Sequence, residues 1–98
     1  MKALELRQLR YFSILARELH FGRAADVAYV TQPALSQQIA KLEEVVGTPL
    51  FIRSPRGVTL TAAGEALRDG IEKVLGQLDI SLRAAREAGS ARTFTLSI

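Results

Sequence analysis

The 98-residue chain has no cysteine. Disulfides and thiolate metal sites are therefore excluded, and a reducing compartment fits. It has one histidine, His20. That residue stands at a helix boundary, and no catalytic triad can be assembled around it. There is no GxGxxG stretch, no P-loop and no metal-ligand spacing. Glu43 and Glu44 are adjacent, so on a helix they diverge by about 100° and read as a solvated edge rather than a paired acid and base. These absences exclude the common enzyme classes: no residue is a catalytic or metal-ligating candidate, and no cofactor is implied. No apolar run approaches the ~18 residues of a membrane helix. The N-terminal MKALELRQLRYF, charged at Glu5, Arg7 and Arg10, lacks the apolar core of a signal peptide. A soluble cytoplasmic protein without membrane contact is the expectation.

Apolar residues make up 48% of the chain, enough for one compact domain. Domains this short bury only part of their surface, so oligomer formation often helps. The net charge is +3, and its placement matters more than its size. Residues 1–60 carry eight Lys or Arg against five Asp or Glu, and residues 61–98 carry five against five. The whole excess lies in the first part, and a basic head suits an anionic partner, nucleic acid above all.

Leu9, Phe12, Ala16 and Leu19 are spaced as one face of a helix, predicted at about residues 5–19. A short helix is predicted at about 23–28, with Gly22 as its cap and Tyr29 and Val30 in the turn after it. A third helix opens at Thr31, a capping residue, with Pro33 in its first turn where a missing N–H costs nothing. Leu35, Ile39, Leu42 and Val46 form its buried stripe, and Gly47 stops it. Pro33, Ser36, Gln37, Ala40 and Glu44 point away from that stripe. LFIR and VTL are short β-favouring runs around Ser54-Pro55-Arg56-Gly57, which reads as a hairpin with Arg53 and Arg56 at or beside its tip. Thr61 caps a last helix, free of proline to about Ala88. Some 27 residues at 1.5 Å each give roughly 40 Å, longer than a 60-residue head covers. Its apolar face, Leu67, Ile71, Val74, Leu75, Leu78 and Leu82, is expected to pair with a second copy of itself. The tail RTFTLSI alternates like a strand and has no partner strand in the chain, which suggests a fragment of a longer protein.

The informative unit is the short helix, tight turn and third helix, the pattern of a helix-turn-helix. A generic helical bundle has the same local pattern. What separates them is the third helix's opening, VTQPALSQQ, which is crowded with uncharged polar residues. A charged face would only grip phosphate, whereas Gln and Ser both donate and accept and can read base edges. The helix N-terminus adds free N–H groups and a positive dipole end. A basic hairpin after such a unit reads as a wing that reaches phosphates or a minor groove.

These segments resemble the N-terminal DNA-binding part of LysR-type transcriptional regulators. The matching pieces are LRQLRYF at 6–12, FGRAADVAYVTQPALSQQIAKLEEVVGTPLF at 21–51 and RSPRGVTLTAAGEAL at 53–67. The resemblance implies a mainly α fold: a winged helix-turn-helix over 1–60, with a three-helix head and a β-hairpin wing. A linker helix follows over 61–89, and 90–98 begins a truncated effector-binding domain of periplasmic-binding-protein-like fold. It implies double-stranded DNA as partner, read as an interrupted palindrome by a homodimer joined antiparallel through the linker helix. Tetramer formation by the intact protein stays open, and so does activation against repression. A small-molecule inducer would bind only the missing domain. The cytoplasmic location would then be the bacterial nucleoid. Carried over by position, Thr31, Gln32, Pro33, Ala34, Ser36 and Gln37 enter the major groove, and Arg53 and Arg56 lie on the wing. Arg23, Gln38 and Lys41 are candidates for backbone contacts. The chain departs from the family pattern at Gly22, where Ser or Thr is common, and at Ala28, where Leu is common. Gln37 stands where some relatives have arginine, so its base preference cannot be copied from them. The rival reading is a winged-helix module for protein contact alone, which would show little salt-dependent retention on DNA.

Overall fold

The computed structural model describes residues 3–97, with side chains through Ser90. The element order is α1 (Leu6–Glu18), α2 (Phe21–Ala28), α3 (Gln32–Val46), β1 (Phe51–Ser54), β2 (Gly57–Leu60) and α4 (Ala62–Ser97). Helix α1 packs against α2, α3 and α4, and α2 packs against α3. Phe12, Leu15, Leu35, Leu42 and Leu50 are fully buried and form the centre of the core. Truncating any of these leucines to Ala costs about 2–5 kcal/mol, because the site collapses only partly. Phe12 of α1 meets Phe51 of β1 with ring centroids 5.3 Å apart, which seats the hairpin on the head.

Local chemistry sets the helix ends. Glu5 N–H donates to the buried Gln8 side-chain oxygen at 3.1 Å, fixing the start of α1. Leu19 closes α1 in the left-handed region, φ 51°. The start of α2 differs from the sequence expectation. It begins at Phe21, and its cap is His20, whose Nδ1 accepts from Arg23 N–H at 3.0 Å. Gly22 therefore lies inside the first turn rather than capping it. An imidazole nitrogen without a proton offers the same lone pair as a Ser or Asp oxygen. The lone histidine is thus occupied with structure. Thr31 caps α3 through Ala34 N–H at 3.2 Å, Pro33 stands in its first turn, and Gly47 ends it at φ 91°, all as expected. Val46, assigned to the buried stripe, is 43% exposed: it is the helix's last residue, and the packing ends with it.

The strands pair antiparallel in register Phe51↔Leu60, Ile52↔Thr59, Arg53↔Val58 and Ser54↔Gly57. Thr61 both caps and pins α4. Its hydroxyl donates to Pro49 O at 2.8 Å and accepts from Gly64 N–H at 3.0 Å, while its N–H donates to Leu50 O at 3.0 Å. Gly64 faces the same carbonyl, and a β-carbon built there would overlap the Leu50 oxygen.

Helix α4 continues through the tail to Ser97, so the expected terminal strand is corrected. Among the described residues the only sheet is the hairpin. A lone strand would leave its N–H and C=O groups unpaired, whereas a helix satisfies them within itself. The long helix stretches the molecule to 63 × 28 × 22 Å. Among the described residues no helix is long and apolar enough to cross a membrane, and no cluster of His, Cys, Asp or Glu could hold a metal ion.

Candidate nucleic-acid interface

Helix α3 splits along its length as its spacing dictates. Leu35, Ile39 and Leu42 are buried, while Gln32, Pro33, Gln37, Ala40 and Lys41 are exposed. Ala34 and Ser36 are half-buried at the margin. Proline supplies no N–H, and Thr31 takes those of Ala34 and Leu35. The side-chain amides of Gln32 and Gln37 make no hydrogen bond among the described residues. Both amides are therefore available to an outside partner.

Strand alternation decides where the wing's arginines go. Phe51 is buried against the head, so Arg53, two residues on, stands on the same face of the ladder. Its guanidinium lies over the Phe21 ring at 3.8 Å from the centroid. From there its Nη2 donates to Ser36 Oγ at 3.0 Å. Arg53 thus ties the wing to α2 and α3. Arg56 sits in the turn, where its N–H donates to Ser54 Oγ at 3.3 Å. Its side chain is exposed and forms no ion pair among the described residues.

The weaker backbone candidates are also placed. Arg23 folds back on the end of α1, donating to Glu18 O at 3.1 Å and facing the Glu18 carboxylate at 3.6 Å. Gln38 is half-buried, and its amide oxygen is enclosed without a partner. Lys41 lines a groove of about 230 Å³ with Glu5, Gln8 and Glu44, beside the start of α1. The sequence reading missed Glu43. It is half-buried rather than a solvated edge, and its carboxylate accepts from Leu50 N–H at 2.7 Å and Phe51 N–H at 3.4 Å. It therefore holds the start of β1 to α3. No sequence pattern marks a contact between residues seven apart across the turn that ends α3.

The apolar face of α4 is divided. Ile71 is 4% exposed and belongs to the head's own core, with Leu67 and Leu75 packed against it. The physical reason is α1, which covers this side of α4; Arg10 of α1 faces Asp79 at 3.9 Å. Val74 and Leu82 remain 55% and 43% exposed, with half-buried Leu78 between them. From Ile80 to Ser90 every residue is exposed.

The family model for bacterial regulatory helix-turn-helix proteins of the LysR family matches residues 6–65. The chain belongs to that family. It is 53% identical to the HTH-type transcriptional regulator BudR of Klebsiella aerogenes over 95 residues, covering 97% of this chain and 66% of that protein. It is 45% identical to the probable cat1 operon transcriptional activator of Acinetobacter lwoffii, covering 97% of this chain and 31% of that protein. The chain thus spans less than two thirds of either relative. Among solved structures, it superposes on a BenM DNA-binding domain in complex with catB site 1 DNA with TM-score 0.83 and 37% identity, covering 86% of this chain and 93% of that one. This LysR-family match takes in the whole head, from α1 through the wing to the start of α4.

Proposed function

We propose that this chain binds double-stranded DNA in a sequence-specific manner, as the DNA-binding part of a bacterial transcriptional regulator. Helix α3 enters the major groove by its N-terminal turns. The observation that carries this reading is the pairing of two features: free amides of Gln32 and Gln37 on the outer face of a capped helix, and exposed Arg56 at the tip of the adjoining hairpin. Gln32, Ser36 and Gln37 are the base readers, with Thr31, Pro33 and Ala34 lining the same opening. Arg56 meets the flanking backbone or minor groove. Family membership supports this assignment, and so does the relative solved with DNA.

The chain acts as a dimer. Val74, Leu78 and Leu82 lie along a helix that outruns its head, and soluble monomers rarely leave such a stripe bare. Pairing of α4 with a second α4 covers it and presents two recognition helices to the two halves of an interrupted palindrome. An inducer, where one acts, binds outside this DNA-binding part. Selection of bound sites from random duplex DNA, with sedimentation of the free chain, tests both parts. A palindromic enriched motif and a dimer are expected. Failure to enrich any sequence overturns the specific-binding reading, and a monomer at micromolar concentration overturns the pairing.

A further inference from the structure

Arg53 carries a role that its place on a basic wing does not suggest. Its guanidinium is seated on the Phe21 ring, 3.8 Å from the centroid, and Phe21 is itself 7% exposed. From that seat it reaches Ser36 Oγ at 3.0 Å. A guanidinium has only donors, so in this contact the serine oxygen must accept. The serine has one proton and two lone pairs. The positive charge occupies one lone pair and repels the proton, which turns to the side away from Arg53. Ser36 stands one turn after Gln32, half-buried at the margin of the outward face of α3.

We infer that Arg53 is a positioning residue that fixes Ser36 as a hydrogen-bond donor toward DNA, rather than a phosphate contact in its own right. A free serine reads either kind of base edge, because it can donate or accept. A serine held by Arg53 keeps one lone pair, but the adjoining positive charge turns its proton outward and weakens that lone pair as an acceptor, so it favours donation toward DNA. It selects acceptors, namely purine N7, guanine O6 or thymine O4, and disfavours the amino groups of adenine and cytosine. Charge assistance also strengthens the hydroxyl as a donor. The wing's seating and the third helix's base preference are thereby one device.

The inference rests on the reading that α3 enters the major groove, and its test separates the two. The probe is the duplex that the wild-type chain enriches from random DNA. Ser36→Ala should lower affinity for it by roughly 5- to 150-fold, the range of one good base contact. Arg53→Ala should cost a similar factor and relax preference at the same base-pair position. In the Ser36→Ala background, Arg53→Ala should cost little more, and the salt slope should fall by less than the ~0.9 of a lost phosphate contact. Arg53→Met keeps an apolar stem on Phe21 while removing the donor, so it carries the same cycle if the alanine variant fails to fold. Additive losses in the double variant, with a full phosphate's fall in slope, overturn the inference and make Arg53 a direct backbone contact. Relaxation at different positions by the two single variants overturns it as well. A wild-type chain that enriches no sequence overturns the major-groove reading, and this inference with it.

Discussion

Gly64→Ala sets two effects of known size against each other. Gly64 lies in the first turn of α4, and replacing a helical glycine by alanine ordinarily stabilises by about 1 kcal/mol. Here the new methyl would overlap the Leu50 carbonyl oxygen and lie 2.8 Å from Leu60 Cδ2. The first neighbour is backbone, pinned by the Thr61 N–H at 3.0 Å and flanked by the Glu43 carboxylate on Leu50 N–H. It cannot swing aside as a long side chain would. Overpacking of this kind costs about 1–3 kcal/mol, and a lost hydrogen bond adds about 1 kcal/mol. The clash should win by about 1–3 kcal/mol net after the helical gain. For a domain of this size each kcal/mol moves Tm by about 4–8 °C. Gly76→Ala is the internal control, since nothing stands within 4 Å of a β-carbon built there, and it should raise Tm by a few degrees. Thermal melts followed by the helical circular dichroism signal, at one fixed protein concentration, read both. A Gly64→Ala chain that melts at or above the wild type would refute the reasoning, because the wing and α4 would then not be locked at Leu50.

Gln37→Ala is expected to relax preference at one or two positions per half-site, with a penalty of about 1–3 kcal/mol on the selected duplex; equal weakening on all sequences would sink that role. Arg56→Gln should weaken binding on every sequence and flatten the dependence of log K on log salt by about 0.9; titration at several salt concentrations checks it, and an unchanged slope would show that Arg56 does not touch the backbone. Val74→Asp introduces charge at a position 55% exposed in the single chain, so the head should stay folded. The dimer should dissociate, because a carboxylate buried without a partner costs several kcal/mol. A Val74→Asp chain that sediments as a dimer would rule out this helix face.

Features set by near neighbours in sequence were legible. Thr31, Pro33 and Gly47 bound α3 through contacts within one turn, and the Pro55–Gly57 stretch makes the hairpin that its composition announces. Features that depend on an unusual donor or on distance were not. His20 displaced Gly22 as the cap because imidazole is an uncommon acceptor at that position. Glu43 reaches across the loop to Leu50 and Phe51, which no spacing rule forecasts. Arg53 lies between these cases. Its charge drew attention to phosphate, yet the period-two rule applied from Phe51 already turns it toward the head. The periodic tail alternation misled for the opposite reason: alternation only becomes a strand where another strand stands beside it.

Under the proposed pairing, the division of α4 would let a small head address two sites at a fixed spacing. A single seam shared by the head and a partner would leave the helix free to roll between them. Instead Leu67, Ile71 and Leu75 anchor it to the core, while Thr61 and Gly64 clamp its first turn to Pro49 and Leu50. The same short segment enters β1 beside the Glu43 carboxylate of α3. The direction of α4 is therefore set relative to α3 by side-chain contacts onto the backbone of Pro49 and Leu50 and by the packed core. The exposed Val74 and Leu82, with half-buried Leu78 between them, form the face proposed for pairing. In a dimer joined through them, the separation and rotation of the two recognition helices follow from the pairing of the α4 helices, with no hinge between reader and interface. On the two proposals together, spacing of half-sites would be a property of the linker helix, and base preference a property of α3 and Arg53.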